Sequence, residues 1–116
     1  MPAVHEIALA ESVLQIVEDT ARKHAVTRVR SVRLEIGQLS HVEPEALRFA
    51  FDVVTRHGIA DGARLEIDAT QGVAWCIKCC ETVPLARLGE ACPRCGSYQL
   101  QVTGGDDMRV KDIEIE

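Results

Sequence analysis

The sequence contains few aromatic residues and little positive charge. Among 116 residues there are two Phe, one Trp and one Tyr, and 13 Lys and Arg stand against 18 Asp and Glu, for a formal net charge of −5. A nucleic-acid-binding module needs a basic face, and a single-strand binder also needs aromatic side chains on which bases stack. The composition therefore argues against nucleic acid as a partner.

Long apolar runs are also missing. A helix that crosses a bilayer needs about 20 predominantly apolar residues in succession, and no stretch of the sequence approaches that length. The first residues lack the basic start and apolar stretch of a secretory signal peptide. We therefore expect a cytoplasmic protein. Its 47% hydrophobic residues suffice for one modest core plus a small metal-stabilised module.

Two pairs of cysteines carry the strongest signal in the sequence. Cys76-x2-Cys79 and Cys92-x2-Cys95 are separated by twelve residues, and Gly96 follows the second pair directly. Each pair can form a tight turn that points two thiolates inward, and two facing turns make the four-sulfur site that zinc prefers. The spacing predicts a structural zinc site closed by these four cysteines.

A fifth cysteine, Cys80, is left over. The odd number of cysteines and the expected reducing compartment argue against disulfides, and Cys76–Cys79 lacks the strand-to-helix context of a redox dithiol. Cys80 stands where the second pair has Gly96, which favours a small tolerated residue beside the site. An exchange of the ligand role between Cys79 and Cys80 stays open, and a thiol oxidoreductase would have to use Cys80.

Hydrophobic periodicity predicts two amphipathic helices and three strands. The first helix is expected to begin after His5-Glu6, and the second carries both phenylalanines, Phe49 and Phe51, which we assign to the core. The apolar positions are Ile7, Ala10, Val13, Leu14, Val17 and Ala21 in the first helix, Leu47, Ala50, Phe51 and Val54 in the second, and Val32, Leu34, Ile36, then Leu65, Ile67, Ala69, then Met108, Val110, Ile113 and Ile115 in the strands.

The order of these elements predicts an α+β fold with a small three-stranded sheet, two helices and an inserted zinc-ribbon domain. The last strand can only complete a sheet that was begun before the cysteines, so the ribbon is an insertion. We expect one domain from residues 1–72 and 106–116 and a zinc-ribbon domain from residues 73–105. A module that is joined to the rest of the protein by only two short connecting segments can exchange between protomers. A monomer and a domain-swapped dimer are therefore both possible states.

A second metal site has weaker support in the sequence. A zinc ion closed by four cysteines has no open position and is not expected to catalyse a reaction. The remaining candidate ligands are histidines. Among them, His5 lies beside Glu6 at the start of the chain, where an imidazole and a carboxylate could bind one cation together. Imidazole with backbone nitrogens and oxygens suits nickel or copper.

Taken together, the sequence resembles the HypA/HybF family of hydrogenase nickel-insertion proteins over essentially its full length. The stretches that carry the resemblance are His5-Glu6-Ile7-Ala8-Leu9, Ile36-Gly37, Ser40-His41-Val42-Glu43, Leu47-Arg48-Phe49-Ala50-Phe51, the four ribbon cysteines, and Met108-Arg109-Val110-Lys111-Asp112-Ile113-Glu114-Ile115.

The resemblance implies a nickel metallochaperone with a structural zinc. It implies that His5 and Glu6 carry the nickel and that Glu43 assists, as a carboxylate does in some members of the family. The implied partners are a HypB-type GTPase and the large subunit of a [NiFe]-hydrogenase, with urease as a further recipient in some organisms.

The start of the chain departs from the family pattern. Members usually place the histidine directly after the initiator methionine, whereas here Pro2-Ala3-Val4 intervene. Proline has no amide hydrogen to lose to a metal. Either nickel is held by His5, Glu6 and internal donors, or translation starts at Val4, which an intact mass that retains Met1 or Pro2 would exclude.

The function predicted from the sequence is therefore non-enzymatic delivery of Ni(II) during hydrogenase maturation. Two alternatives keep the ribbon but change its role: an interaction adaptor without metal transfer, and a nucleic-acid-binding module.

Overall fold

The computed structural model describes residues 2–115, with side chains from His5 onward. In chain order the elements are α1 (Pro2–Lys23), β1 (Val29–Gly37), α2 (Pro44–Val54), β2 (Arg64–Thr70), β3 (Val73–Cys76), β4 (Glu81–Pro84), β5 (Leu100–Gly104) and β6 (Met108–Ile115). They form two three-stranded sheets, β2-β1-β6 and β4-β3-β5. The predicted α+β class is confirmed. None of the helices among the described residues has the length and apolar content of a membrane-spanning segment.

Helix α1 begins earlier than the sequence predicts. His5 and Glu6 lie within the helix, not before it, because α1 starts at Pro2, and proline is well suited to the first helical position. Glu6 extends the buried stripe that continues through Ala10, Val13, Val17 and Ala21 at helical spacing. The extra turn therefore adds to the buried face of the helix.

Helix α2 confirms one phenylalanine of the predicted core and contradicts the other. Phe51 is fully buried beside Leu47 and Ala50, whereas 69% of Phe49 is exposed. Phe49 lies two residues before Phe51, which is about 200° around a helix, so the two rings leave on opposite sides. The assignment of Phe49 to the core was wrong.

The β2-β1-β6 sheet buries one side of its central strand. Val32, Leu34 and Ile36 of β1 are each at most 4% exposed, as their alternation predicts. The intervening Arg33 of β1 donates to a carboxylate oxygen of Glu66 on β2 at 2.6 Å. The alternation of apolar and charged side chains thus fixes which side of β1 meets the core.

The chain divides into two compact units. The helical unit contains the chain up to Leu34, Val42–Ile67 and the chain from Val110, while the metal unit contains Glu35–His41 and Asp68–Arg109. The metal unit holds all five cysteines and the whole of the β4-β3-β5 sheet.

Candidate metal centre

The four predicted cysteines come together in the metal unit. Cys76 ends β3 and Cys79 lies in the turn that follows it, while Cys92 and Cys95 lie in the connection between β4 and β5. Their four sulfur atoms all lie within 4.8 Å of one another. The Cys76 and Cys95 sulfurs are 3.7 Å apart, and those of Cys79 and Cys92 are 3.9 Å apart.

Each cysteine pair lies in a backbone turn, and the two turns have the same geometry. The amide of Cys80 donates to the carbonyl of Cys76 at 2.8 Å, and the amide of Gly96 donates to that of Cys92 at 2.9 Å. The residue that closes each turn has a positive φ, 54° at Cys80 and 77° at Gly96. Glycine adopts this conformation freely, whereas a residue with a Cβ is strained there. Cys80 and Gly96 therefore occupy equivalent positions in the structure as well as in the sequence.

Backbone amides point at one sulfur of each pair. The Cys79 amide donates to the Cys76 sulfur and the Arg94 amide to the Cys92 sulfur, each at 3.4 Å. Although burial opposes ionisation of Cys92, amide donors at Cys95 and Arg94 lower the pKa of its thiol to about 7. A hydrogen bond with Cys95, together with burial, raises the pKa of Cys79 to about 12. Cys92 is thus the thiol prepared to lose its proton before Cys79.

The cluster is buried on one side and open on the other. Cys76 and Cys92 are at most 3% exposed and pack with Val83 of β4, while Cys95 is exposed. Arg94 forms an ion pair with Glu81, which ties the second turn to the strand that follows the first. This ion pair was not predicted from the sequence, because it joins residues thirteen positions apart through the fold.

The fifth cysteine lies outside the cluster. Cys80 is exposed, and its thiol donates to the carbonyl of Ile77 at 3.4 Å. The four-sulfur group contains Cys79 and not its neighbour. The structure therefore gives no ligand role to Cys80.

The donor set limits which metals the cluster suits. Four thiolates that can coordinate one metal centre tetrahedrally favour zinc or an iron–sulfur centre. Hard cations such as magnesium and calcium prefer oxygen ligands. All four positions come from the protein, so a bound ion would have no open position for a substrate. The cluster is a candidate structural metal site.

The residues predicted for nickel do not form a comparable group. In residues 2–115 the four cysteines are the only set of three or more His, Cys, Asp or Glu side chains close enough to hold an ion. His5 is exposed, and Glu43 is exposed at the N-terminus of α2, where its carboxylate accepts from the Glu45 amide at 3.1 Å. The nickel assignment of His5, Glu6 and Glu43 stays a prediction.

Glu6 shows a feature that the sequence analysis missed. Its side chain is only 2% exposed, and among the side chains that the structure describes, from His5 onward, its Oε1 finds no hydrogen-bond partner. A buried, unpaired carboxylate oxygen is costly and is rare in folded proteins. The signal was present in the sequence, since Glu6 precedes the buried Ala10 by one helical turn.

The pKa of Cys92 predicts how metal loading depends on pH. A thiol must lose its proton to bind a metal, so loading the metal-free protein releases protons. Cys92 changes from thiol to thiolate near pH 7. We therefore expect proton release per zinc to fall by about one proton between pH 6 and pH 8, as measured by calorimetry in buffers of different ionisation enthalpy. Equal release at both pH values would contradict the lowered pKa.

Comparisons with known proteins agree on one family. The family model described as hydrogenase/urease nickel incorporation, metallochaperone, hypA matches residues 4–115. The hydrogenase maturation factors HypA of Albidiferax ferrireducens and of Dechloromonas aromatica are each 60% identical over 113 residues, which cover 97% of this chain and all of each relative.

Two solved structures share the fold. The solution structure of a HypA protein has a TM-score of 0.72 at 23% identity and covers 97% of both chains. The solution structure of the nickel metallochaperone HypA from Helicobacter pylori has a TM-score of 0.69 at 22% identity and covers 95% of this chain and 96% of that one.

Proposed function

Because the chain belongs to the HypA family of hydrogenase and urease nickel-incorporation metallochaperones, we propose that it delivers Ni(II) during maturation of a [NiFe]-hydrogenase, and of urease where one is present. The metal unit holds a structural zinc, and the start of α1 holds the nickel. The protein is not an enzyme and acts in the cytoplasm, with a HypB-type GTPase and the hydrogenase large subunit as partners.

The zinc assignment rests on the donor set of the cluster. Cys76, Cys79, Cys92 and Cys95 supply four sulfurs at the approach distances described above, and zinc favours a closed tetrahedral thiolate site. Amide donors to two of the sulfurs partly neutralise the charge that four thiolates bring. When bound, zinc would cross-link the two turns and would leave no coordination position open to a substrate.

The single observation that carries the nickel assignment is the unpaired oxygen of Glu6. A cation bound at this oxygen would relieve the cost of burying it without a partner. His5 is the adjacent residue and its imidazole is exposed, where an arriving ion can reach it. Nickel accepts imidazole and carboxylate ligands together.

The helical geometry adds a condition on nickel binding. Successive side chains of a helix diverge by about 100°, and His5 faces solvent while Glu6 faces the core. One ion can be shared by both only if the first turn of α1 opens. A site that forms by opening a helix end binds its ion less tightly than a preformed one, which suits an ion that must be passed on.

The test of the nickel assignment is the His5→Ala variant. Loss of a second-sphere residue already weakens metal binding by about 10–100-fold, so we expect loss of the His5 ligand to weaken nickel binding by more than about 100-fold. Zinc should stay near one per chain. Nickel and zinc are measured together by mass spectrometry on untagged protein whose N-terminus is verified by intact mass.

Two further variants make this test specific. His24→Ala changes an exposed histidine near the other end of the α1 segment and should leave nickel binding unchanged. Glu6→Gln keeps the shape of the buried side chain but removes its charge, and should weaken nickel binding while raising thermal stability. Stoichiometric nickel in His5→Ala would refute the assignment of His5.

A further inference from the structure

The four cysteines of the metal cluster differ in their exposure to solvent. Cys76 and Cys92 are at most 3% exposed and form an apolar group with Val83. Cys79 is half-buried and packs against this group. Cys95 is exposed and lies outside it. A reactive molecule that arrives from solvent therefore meets Cys95 before the other three.

The four sulfurs also differ in their hydrogen bonds. The two buried sulfurs each accept a backbone amide at 3.4 Å, that of Cys76 from Cys79 and that of Cys92 from Arg94. Among the residues that the structure describes, no amide donates to the sulfur of Cys95, which contacts the Cys76 sulfur at 3.7 Å. A donor that stabilises a thiolate also makes it a weaker nucleophile. Cys95 therefore combines access with the less stabilised sulfur.

The backbone beside Cys95 leaves room for an incoming molecule. Gly96 follows it, and a Cβ added to Gly96 would meet no atom within 4 Å beyond its two neighbours in the chain. Because Gly96 has a φ of 77°, a residue with a side chain is disfavoured there and the space stays open. The first turn has Cys80 at the equivalent position. The two turns share a geometry, but only the second has no side chain at this position.

The spacing of the sulfurs fits a metal-loaded cluster. Tetrahedral zinc–sulfur bonds of about 2.3 Å place the sulfurs about 3.8 Å apart. The sulfurs of Cys76 and Cys95 are 3.7 Å apart, and those of Cys79 and Cys92 are 3.9 Å apart. The differences in burial and hydrogen bonding therefore apply to the zinc-loaded protein. Zinc binds its cysteine ligands as thiolates, and the thiolate is the reactive form of cysteine.

Cys80 is the competing thiol, because it is also exposed. It lies outside the four-sulfur group, and its thiol donates a hydrogen bond to the Ile77 carbonyl at 3.4 Å. A cysteine that binds no metal is mostly the protonated thiol at neutral pH, and only the thiolate attacks an electrophile. Exposure alone therefore does not make Cys80 the reactive sulfur.

We propose that Cys95 is an oxidation site: a hydroperoxide oxidises this metal-bound sulfur first, and the reaction releases the zinc. The inference rests on the zinc assignment within the proposed function and does not depend on nickel delivery. It gives the outer sulfur of the second turn a role that the other three ligands do not share.

The reaction has two steps, written here for hydrogen peroxide. The Cys95 thiolate attacks one peroxide oxygen, the O–O bond breaks, and Cys95 becomes a sulfenic acid while hydroxide leaves. The Cys76 thiolate, 3.7 Å away, then attacks the sulfenic sulfur and displaces a second hydroxide, so that a disulfide forms. The two sulfurs lose two electrons and the peroxide gains them. The cluster has then lost two ligands and can no longer hold its metal.

The experiment treats zinc-loaded protein with less than one equivalent of hydrogen peroxide. Dimedone traps sulfenic acids in one sample, and a colorimetric chelator follows free zinc in another. Trypsin cleaves after Lys78, Arg87 and Arg94, so the four ligand cysteines fall into four different peptides. Hydrogen bonds to a metal ligand change its properties by about 10–100-fold, so we expect about 10-fold more dimedone on Cys95 than on any other cysteine. Without dimedone, the disulfide should join the peptides of Cys76 and Cys95.

Three variants test the role of the individual sulfurs. Cys95→His keeps a zinc ligand at this position but removes the sulfur, and should slow zinc release by about 10-fold. Cys79→His makes the same exchange at the outer position of the first turn and should leave the rate of release essentially unchanged. Cys80→Ser removes the competing thiol and should change neither the rate of release nor the labelling of Cys95. If a histidine variant fails to bind zinc, the peptide map of the wild-type protein still decides.

The outcomes separate this inference from the proposed function. Dimedone found first on any cysteine other than Cys95, or zinc released while Cys95 stays unmodified, would overturn the inference. Zinc per chain is measured before the oxidant is added. A value near zero would refute the zinc assignment, and this inference with it. One zinc per chain together with another cysteine oxidised first would overturn this inference alone.

Discussion

Replacement of Cys76 by serine is expected to abolish zinc binding and to unfold the metal unit. Binding of structural zinc in small peptides contributes about 10–16 kcal/mol, which matches or exceeds the whole stability of a typical domain, about 5–15 kcal/mol. Cys76 is fully buried and packs with Val83 and Cys92, so a serine there loses the ligand and leaves a hydroxyl without a partner.

The measurement combines zinc content with amide hydrogen exchange. We expect less than one-tenth of wild-type zinc, together with loss of protection in β3, β4 and β5. Protection in α1 and α2 should persist, since the helical unit has its own buried residues, among them Val13, Leu34 and Phe51.

The matched control is Cys80→Ser, four residues away. Cys80 is exposed and lies outside the four-sulfur group, so this variant should keep full zinc content and an unchanged metal unit. Loss of zinc in Cys80→Ser equal to that in Cys76→Ser would show that Cys80 is a ligand and that the assignment of Cys79 is wrong.

The metal cluster could be predicted from the sequence because its geometry is mostly local. Each cysteine pair spans four residues and is held by a hydrogen bond from the residue that follows it, so the spacing fixes the turn. The rest of the fold is needed only to bring the two cysteine turns next to each other, and an ion bound to all four sulfurs would itself hold them there. The positive φ at Cys80 could be anticipated as well, by comparison with Gly96.

The errors at α1 and α2 have a different origin. The apolar character of Phe49 favours the core, but its spacing from Leu47 and Phe51 places it off the buried stripe. At α1 the apolar pattern begins at Ile7, which is 39% exposed, whereas the buried position before it is occupied by Glu6, a residue type that is rarely buried. In both cases the helical period was the better guide than residue type.

The neighbours of Trp75 in the β4-β3-β5 sheet, Thr82 and Gln101, could not be predicted from the sequence. Alternation along β3 separates Trp75 from Cys76, but it does not say which residues of β4 and β5 lie beside Trp75. That depends on the register of two separate pairings, and one of them shifts between Val73 and Ala74. A slip of one residue would bring other side chains beside the indole.

Gly37→Ala is the second substitution expected to have a large effect. A Cβ at Gly37 would overlap the carbonyl group of Gly105 and lie 2.8 Å from the amide nitrogen of Asp106. All of these are backbone atoms, so no side-chain rotation can relieve the overlap. The same backbone is fixed by hydrogen bonds from Gly37 to the Asp107 carbonyl at 2.8 Å and from Leu39 to the Gly105 carbonyl at 2.7 Å.

We expect Gly37→Ala to lower the free energy of unfolding by about 3 kcal/mol or more, the upper range for substitutions that overpack a site. It is measured by urea denaturation of the zinc-loaded protein. Gly58→Ala is the matched control, because a Cβ there meets nothing closer than 3.5 Å and the backbone φ is not positive; it should change stability by less than about 0.5 kcal/mol. Equal, small effects of the two substitutions would mean that the chain segments at Gly37 and Gly105 separate easily. Gly37 ends β1 and Gly105 directly follows β5, so a large difference would instead show that a close backbone contact holds the exit of the β4-β3-β5 sheet against the end of β1.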